Sequence, residues 1–528
     1  MFDMKITEKL SSLVKLPIYP YLFALYPALA LLGHNIEEVR PFVAVRALFV
    51  SLLASILLMI IFRLLLKKWD YAAILTTTTL IIFFSYGHVY NFLKDMDRIG
   101  VAAARHRLLI PISIAVLIAI FYWLRRVKPE LKNINSYLNL IACIALIIPL
   151  FQIASYSFYA QSTTADEDFI DAESEILHFS QGTNPPDVYY IILDAYSRDD
   201  ELLKYYDLDN SSFVNQIEQL GFFVANCSQS NYSQTQLSLA SSLNFDYLDR
   251  LSEQFNPPNQ SRTGIHEFIQ HSKVRKIFEK LGYDIIAFET GFKGTEWDDA
   301  DFYFTPSLSS LGKLQIDSGI NGFELMLLNN SAVSVLIDAS IKMPEFLQPD
   351  FNNPRRIHRD RVLYALDQLE KLPAQSGPKF VFAHLVIPHP PYVFGPDGEF
   401  RDYDQEKLTA YRDQLTFLNR QLIPLLETLI NESETPPIII LQADHGGVEL
   451  APKNRMKILN AYYLPGNGGL DLYNQISPVN SFRVIFNRYF NGQYELLPDI
   501  SLFSVYKTPF DYTRISDDRP GCQEIEVS

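Results

Sequence analysis

Five apolar segments in the first 160 residues constrain the fold of this chain more than any other feature. They lie at 17–33, 47–66, 71–87, 108–124 and 136–159. Each approaches the roughly 20 residues that a helix needs to cross about 30 Å of hydrocarbon. Buried core helices are the alternative, because the first segment contains three prolines, but five nearly acid-free segments in a row are hard to bury in a soluble core. The pattern predicts a transmembrane domain of about five helices over residues 1–160.

The basic residues between these segments indicate the orientation. With a cytoplasmic N-terminus, ten Lys and Arg residues face the cytoplasm and six face the other side, as the positive-inside rule requires. Five crossings then place everything after about residue 160 outside the cytoplasm. We therefore predict an integral protein of the plasma or inner membrane with an extracytoplasmic C-terminal domain. A transporter is a distant alternative, because no internal repeat is evident.

The charge balance changes sign where the apolar segments end. Residues 1–160 contain 16 Lys and Arg against 8 Asp and Glu, whereas the remainder contains 29 against 52. An acidic second part argues against nucleic acid as a partner, since nucleic acid requires basic patches. Residues 161–187 are polar, acidic and end in Pro-Pro-Asp, which predicts a linker before a separate domain at 188–528.

The chain has only three cysteines, at 143, 227 and 522. A fold held together by several disulfides is therefore excluded. At most one intrachain bridge could join Cys227 and Cys522, the two that lie outside the apolar segments, and the sequence leaves their pairing open.

After residue 187 the pattern becomes that of an α/β domain. Short apolar runs at 188–193, 284–288, 379–387 and 436–442 alternate with helical stretches, of which 404–432 is the clearest. Nearly continuous apolar strands are typical of strands buried on both faces. The predicted fold class is thus α/β, with a mostly parallel sheet between helices and ligands at the carboxyl ends of the strands.

Chemically capable side chains follow two of these strands. Asp194 ends the first run, and Asp444, His445 and Gly446 come at the end of the run 436–442, after Ala443. An Asp after a strand is often only a helix cap, but an Asp at one strand end and an Asp-His pair at another offer three oxygen and nitrogen ligands to one divalent ion. Their joint placement predicts a metal site.

Residues 231–244 (NYSQTQLSLASSLN) read as a loop that enters a helix at Thr235. A hydroxyl at a helix N-terminus faces unpaired amides and the positive end of the dipole, which favours a bound phosphate or sulfate. Coordination to a metal would lower the pKa of the hydroxyl and make it a nucleophile. Simple capping of the helix is the alternative.

These residues resemble the alkaline phosphatase/sulfatase superfamily, and within it the membrane-anchored phosphoethanolamine transferases and lipoteichoic acid synthases. The resemblance covers an acidic residue after the first strand, a Thr-x-x-Ser helix start, a His-containing segment before prolines, and a late Asp-His-Gly. The matching residues are Asp194, Thr235 with Ser238, His384 and His389 in FAHLVIPHPPYVF, and Asp444-His445-Gly446. It implies about five transmembrane helices followed by an extracytoplasmic sulfatase-like domain.

The resemblance also implies roles for single residues. Asp194, Thr235, Asp444 and His445 would bind one divalent metal ion, which could be Mn, Zn, Mg or Ca, and Thr235 would be the nucleophile. His389 would contact the transferred group or protonate a leaving group.

His384 and Ser238 would lie on the substrate side of the site. The chain departs from those transferases in having Asp rather than Glu at position 194 and no histidine after residue 445.

The expected function is that of a metal-dependent transferase or hydrolase that acts on phosphoric or sulfuric esters through a Thr nucleophile. Its expected partners are membrane lipids, with a lipid donor and an envelope lipid or glycan acceptor. The alternative, from another functional class, is a non-catalytic membrane-anchored sensor or assembly protein that keeps the sulfatase-like fold. The sequence leaves open the transferred group, the acceptor and the oligomeric state.

Overall fold

The computed structural model describes residues 16–36, 39, 41–94, 105–162, 177–179, 184–262, 264–306, 322–335, 354–401, 406–466 and 471–522. The chain forms two compact units. The first comprises Met1–Phe158 and Ile316–Asn353, and the second comprises Tyr159–Gln315 and Pro354–Ser528. A stretch of the later chain thus packs with the N-terminal helices. The predicted linker at 161–187 falls mostly outside the described residues.

The described part of the first unit contains five long apolar helices. They are α1 (Tyr19–His34), α2 (Val45–Leu66), α3 (Trp69–Lys94), α4 (His106–Val127) and α5 (Lys132–Ser162). Four of them, α2 to α5, are long and apolar enough to cross a membrane. Helix α1 has 16 residues, so it is shorter than a typical span. Large apolar side chains such as Phe49, Leu64 and Ile148 are exposed on these helices, as a lipid-facing surface requires.

The helices run up and down, because apolar clusters join alternating ends. One cluster contains Tyr19 at the start of α1, Met59 near the end of α2 and Ala72 at the start of α3. Polar groups stabilise the packing: the Asn139 side chain of α5 accepts a hydrogen bond from the Tyr19 N–H (2.9 Å), which satisfies an otherwise unpaired group at the start of α1. These intramembrane polar groups hold helices together.

The described part of the second unit contains nine strands. They are β1 (Val188–Leu193), β2 (Phe223–Val224), β3 (Asp284–Phe288), β4 (Phe302–Phe304), β5 (Lys379–Leu385), β6 (Ile438–Gln442), β7 (Asn460–Tyr463), β8 (Ser501–Phe503) and β9 (Thr513–Ile515). Seven of them form one sheet in the order β2-β7-β6-β1-β5-β3-β4, and β8 pairs with β9. Strands β6, β1, β5, β3 and β4 are parallel to one another, whereas β7 runs in the opposite direction and pairs antiparallel with both β6 and β2.

Helices cover both faces of this sheet. They are α6 (Asp199–Tyr206), α7 (Ser211–Gln219), α8 (Thr235–Ser242), α9 (Leu248–Leu251), α10 (Glu267–Gln270), α11 (Lys273–Lys280), α13 (Pro354–Lys371), α14 (Lys407–Glu432), α15 (Pro452–Arg455) and α16 (Pro478–Tyr489), while α12 (Gly322–Asn329) belongs to the first unit.

Strand β1 shows why the apolar runs that predict strands contain no alternating polar residues. Tyr189 and Ile191 lie in the core on one face of the sheet, and Tyr190 and Ile192 lie in the core on the other. Every residue of β1 is therefore buried. The predicted α/β fold with a mostly parallel sheet is confirmed. The carboxyl ends of β1, β5 and β6 consequently meet at one edge of the sheet.

The C-terminal segment is fixed to the loops at that edge. Cys227 and Cys522 form a disulfide, which answers the question that the sequence left open. The guanidinium of Arg198, four residues after Asp194, forms a buried ion pair with Asp517 (2.7 Å). The C-terminal segment thus supports the loop that follows β1.

Candidate active site and metal centre

Three neighbouring strands bring two predicted metal ligands, Asp194 and Asp444, together with His384, which the resemblance placed on the substrate side. Asp194 directly follows β1, His384 lies near the end of β5, and Asp444 follows β6 after Ala443. The register aligns Ile192 of β1 with His384. Because parallel strands end at a common edge, residues far apart in sequence become neighbours there.

Three buried atoms at this edge have no hydrogen-bond partner among the described residues. They are Asp194 Oδ1, His384 Nε2 and Asp444 Oδ2. The three side chains can each place a ligand atom within 4.8 Å of the other two. Buried carboxylate and imidazole atoms are costly unless they are paired or coordinate a metal. Two carboxylates and one imidazole fit a divalent ion, which would supply the positive charge that they lack.

Asp444 is oriented for this role by the backbone. Its Oδ1 accepts hydrogen bonds from the N–H groups of Ala195 (3.1 Å) and His445 (2.9 Å). These bonds turn Oδ2 toward Asp194 and His384. Burial alone would raise the pKa of Asp194, but His389, His384 and His445 outweigh it and hold that pKa below its usual range. Asp194 is thus an ionised potential ligand.

His445 contributes a fourth potential ligand, which is a second imidazole nitrogen. Its Nδ1 lies 2.8 Å from the Gly446 carbonyl and donates a hydrogen bond to it, which leaves Nε2 as a lone-pair donor. That Nε2 lies 3.5 Å from Asp444 Oδ2 and 3.7 Å from Asp194 Oδ1. Burial lowers the pKa of His445, which favours the neutral imidazole that metal ligation requires.

Thr235 is the first residue of α8, as the sequence predicts. Its Oγ1 lies 3.4 Å from His445 Nε2, so the hydroxyl borders the cluster of ligands. The side chain is half-buried, which leaves it accessible to a substrate. Ser238 lies one turn further along α8 and is buried, with 2% of its surface exposed.

A buried arginine clamps the two residues that flank Thr235. Arg262 donates hydrogen bonds to Gln236 Oε1 (3.1 Å) and to Gln234 Oε1. Its guanidinium also lies over the ring of Tyr506, 3.9 Å from the centroid. The amide of Gln234 in turn donates to the Ser504 carbonyl (3.0 Å). The start of α8 is therefore held from both sides by charge-assisted and amide hydrogen bonds.

His389 lies in a loop that is held against Asp194. Its backbone N–H donates to the Asp194 carbonyl (3.0 Å). The amide of Gln414 donates to the carbonyls of Pro388 and His389 (3.2 Å each). His389 Nδ1 lies 2.6 Å from the Pro390 carbonyl, which directs the half-buried ring and its Nε2 away from this bond. The ring centroid lies 6.3 Å from that of His445.

His384 lies closer to the candidate metal position than the sequence indicated. The sequence analysis assigned it to the substrate side, whereas its Nε2 lies 3.3 Å from Asp194 Oδ2. Its Nδ1 bonds Thr295 Oγ1 (2.9 Å), and that hydroxyl lies 3.2 Å from Thr290 Oγ1. Hydrogen bonds to the second ring nitrogen typically fix the orientation of a metal-binding histidine.

Sequence reasoning missed Arg455 entirely. Its Nη2 lies 3.3 Å from His445 Nε2, and its carbonyl accepts the Gly446 N–H (2.7 Å). Burial lowers the pKa of Arg455, yet a guanidinium stays charged at neutral pH. It brings a cation to a site that is otherwise rich in carboxylates. Arg455 lies at the end of a four-residue helix, which is too short to show the apolar periodicity that predicts a helix.

Comparison with family models and with curated proteins gave no match. Several solved structures are similar at low identity. The C-terminal periplasmic domain of EcEptC from Escherichia coli, in complex with Zn, matches with 10% identity and a TM-score of 0.38 over 62% of this chain and 91% of that chain. The integral membrane lipooligosaccharide phosphoethanolamine transferase A (EptA) from Neisseria meningitidis matches with 12% identity and a TM-score of 0.35 over 89% and 94%.

A protein in the alkaline phosphatase superfamily from Vibrio parahaemolyticus matches with 11% identity and a TM-score of 0.35 over 66% of this chain and 87% of that chain. These proteins belong to the group that the sequence motifs resemble. Likeness at this level carries no functional assignment, which depends here on the geometry of the site.

Proposed function

We propose that this protein is a membrane-anchored, metal-dependent enzyme that transfers or hydrolyses a phosphoric or sulfuric ester through Thr235. The observation that carries the proposal is the convergence of unpartnered, buried Asp194, His384 and Asp444 atoms beside a helix-terminal hydroxyl. Asp194, Asp444, His445 and Thr235 would hold one divalent ion, with His384 available at the same position. The ion, when bound, would lower the pKa of the Thr235 hydroxyl and offset the two carboxylate charges.

The residues of this chain support a double displacement. Thr235 loses its proton to solvent, its Oγ1 bonds the phosphorus or sulfur atom, and the bond from that atom to the leaving oxygen breaks. His389 gives the leaving oxygen a proton. In the second step His389 removes the proton of an acceptor alcohol or water, whose oxygen bonds the phosphorus or sulfur atom while the bond to Oγ1 of Thr235 breaks, and Oγ1 regains a proton from solvent. Arg455 and the amides at the start of α8 would bind the non-bridging oxygens.

The compartment follows from independent features. The Cys227–Cys522 disulfide is typical of an oxidising environment outside the cytoplasm. This agrees with the orientation derived from the loop charges. A lipid donor and an envelope lipid or glycan acceptor would both be within reach of an enzyme anchored in that membrane.

Metal content and turnover of the purified full-length protein test this proposal. We expect about one equivalent of divalent metal, turnover of a phosphodiester or sulfate ester that chelation abolishes, and a loss of about 10³-fold or more in Thr235→Ala. Thr235→Ser, which keeps the hydroxyl, is the matched control and should retain measurable turnover. Absence of metal under replete conditions would favour the sensor or assembly protein instead, and full turnover by Thr235→Ala would exclude the nucleophile.

A further inference from the structure

Residues 322–335 come from the second part of the chain but pack in the first unit. The residues before 316 and after 353 belong to the α/β unit, whereas this stretch belongs with the N-terminal helices. It consists of α12 (Gly322–Asn329) and the six residues after it. We call residues 322–335 the docking segment. Two sets of contacts hold this segment against helices of the first unit.

The first contact combines an apolar anchor with an ion pair. Phe323, which is 6% exposed, packs in a cluster with Leu32 of α1 and Ala47 of α2. Beside it, Glu324 accepts a hydrogen bond from Arg46 Nε (2.7 Å), and a second bond joins Arg46 Nη2 to the same carboxylate. A largely buried carboxylate is costly without a partner. The pair therefore favours this position of α12 over other positions along the helices.

The second contact involves the backbone of α3. The Gly87 N–H donates to the Asn330 carbonyl (3.2 Å), and the Phe83 carbonyl accepts from the Ala332 N–H (2.8 Å). Asn330 and Ala332 lie outside regular helix, and backbone of that kind in a membrane unit needs protein partners for its polar groups. The segment is bonded to α3 through the main chain.

Glycine at position 87 makes this approach possible. A Cβ atom there would lie 2.6 Å from the Asn330 carbonyl carbon and 2.7 Å from the Asn329 oxygen. Both are backbone atoms, so no side-chain rearrangement could relieve the overlap. Any residue with a Cβ would push the segment away from α3.

All these contacts lie at one end of the helix bundle. The cluster around Phe323 also contains Ile36 after α1, Ala44 before α2, and Ile153 and Tyr156 near the end of α5. Helix α5 ends where the chain continues to the α/β unit. The alternating topology predicts that this end is extracytoplasmic, so the docking segment contacts the end that faces the compartment of the α/β unit.

We propose that the docking segment is a second attachment of the α/β polypeptide to its membrane unit, with the extracytoplasmic ends of α1, α2 and α3 as its partner. The first attachment is the covalent connection through α5. The second depends on Phe323, on the Arg46–Glu324 pair and on the close backbone approach at Gly87. It is independent of the chemistry proposed for Thr235.

Cleavage of the first attachment tests the second. A site-specific protease sequence is inserted after Asp171 in the full-length protein, native membranes are treated with the protease, and the fragment from 172 to 528 is measured in pellet and supernatant after a high-salt wash. We expect the fragment to stay in the pellet. Gly87→Leu and Arg46→Glu should each raise the released fraction roughly tenfold, as the loss of one partly buried pair or close contact predicts.

Two further variants make the result specific. His88→Leu places the same apolar residue on α3 at an exposed position and should release no more than the wild type. Arg46→Glu combined with Glu324→Arg restores the pair with reversed charges and should restore retention. Complete release of the wild-type fragment would overturn the proposal. Equal retention in the wild type and in both disrupting variants would overturn it as well.

Discussion

The thermal stability of Asp194→Asn in the presence and absence of metal follows directly from the site geometry. In the wild type, ligand atoms of Asp194 and Asp444 lie within 4.8 Å of each other. At that separation and an effective dielectric constant of about 20, two unit charges repel by about 3 kcal/mol. Without metal, Asp194→Asn removes this repulsion, but it also removes the attraction of His384, His389 and His445 that holds the pKa of Asp194 below its usual range. We therefore expect the metal-free variant to be slightly less stable than the wild type.

Metal should widen this difference. An ion at about 100 times its Kd stabilises the folded protein by about 2.7 kcal/mol. For domains of this size each kcal/mol corresponds to roughly 2–4 °C in Tm, so the wild type should gain about 5–10 °C. Asp194→Asn lacks one charged ligand and should gain less than about 2 °C.

The assay is thermal unfolding of the full-length protein in detergent, with and without chelator. Asp207→Asn, an exposed Asp in the same unit, is the matched control and should behave as the wild type. Equal metal-induced shifts in the wild type and Asp194→Asn would refute the ligand assignment.

Three further predictions concern residues around the site and the fold. Arg262→Met should lower kcat roughly 10–100-fold with unchanged metal content, because the residues on either side of Thr235 lose the hydrogen bonds of Arg262. Arg262→Lys should recover part of kcat. Steady-state kinetics and metal analysis check both variants, and an unchanged kcat in Arg262→Met would contradict the prediction. Burial lowers the pKa of His358 to about 4, so between about pH 4 and pH 6.5 the folded state binds fewer protons than the unfolded state. The free energy of unfolding therefore decreases as the pH falls from about 6.5 to about 4. His358→Gln should remove about 3 kcal/mol of this decrease, which Tm measurements at several pH values would detect. Cys522→Ser should lower the Tm, because the Cys227–Cys522 bridge spans 295 residues and constrains the unfolded chain, whereas Cys143→Ser, at an exposed free thiol, should leave the Tm unchanged.

The residues whose proximity could be predicted from the sequence are those at strand ends. Asp194, Asp444 and His445 each come within three residues of the end of an apolar run, so the topology of a parallel sheet was enough to bring them together. Thr235 was recognisable because polar loop residues precede a helix there. The apolar helices could be predicted because each is a long run of apolar residues, although α1 has only 16 residues.

The remaining features depend on contacts that no local pattern encodes. His384 lies inside an apolar strand, where a histidine is most simply interpreted as a core residue, and only the pairing with β1 brings it beside Asp194. Arg262 and Arg455 reach the site from loops and a four-residue helix whose packing is set by distant segments. The docking segment leaves the α/β pattern for only 14 residues of the described chain, and its partner helices lie about 240 or more residues earlier.

The central claim is that Thr235 carries the transferred group, and mass spectrometry of the Thr235 peptide tests it most directly. The full-length protein is incubated with membrane lipids and metal, quenched in acid and digested. We predict an added mass on Thr235 that corresponds to a phosphoryl, substituted phosphoryl or sulfuryl group, absent after chelation and in Thr235→Ala. Turnover of the same lipids with an unmodified Thr235, or with the added mass on another residue, would contradict the account.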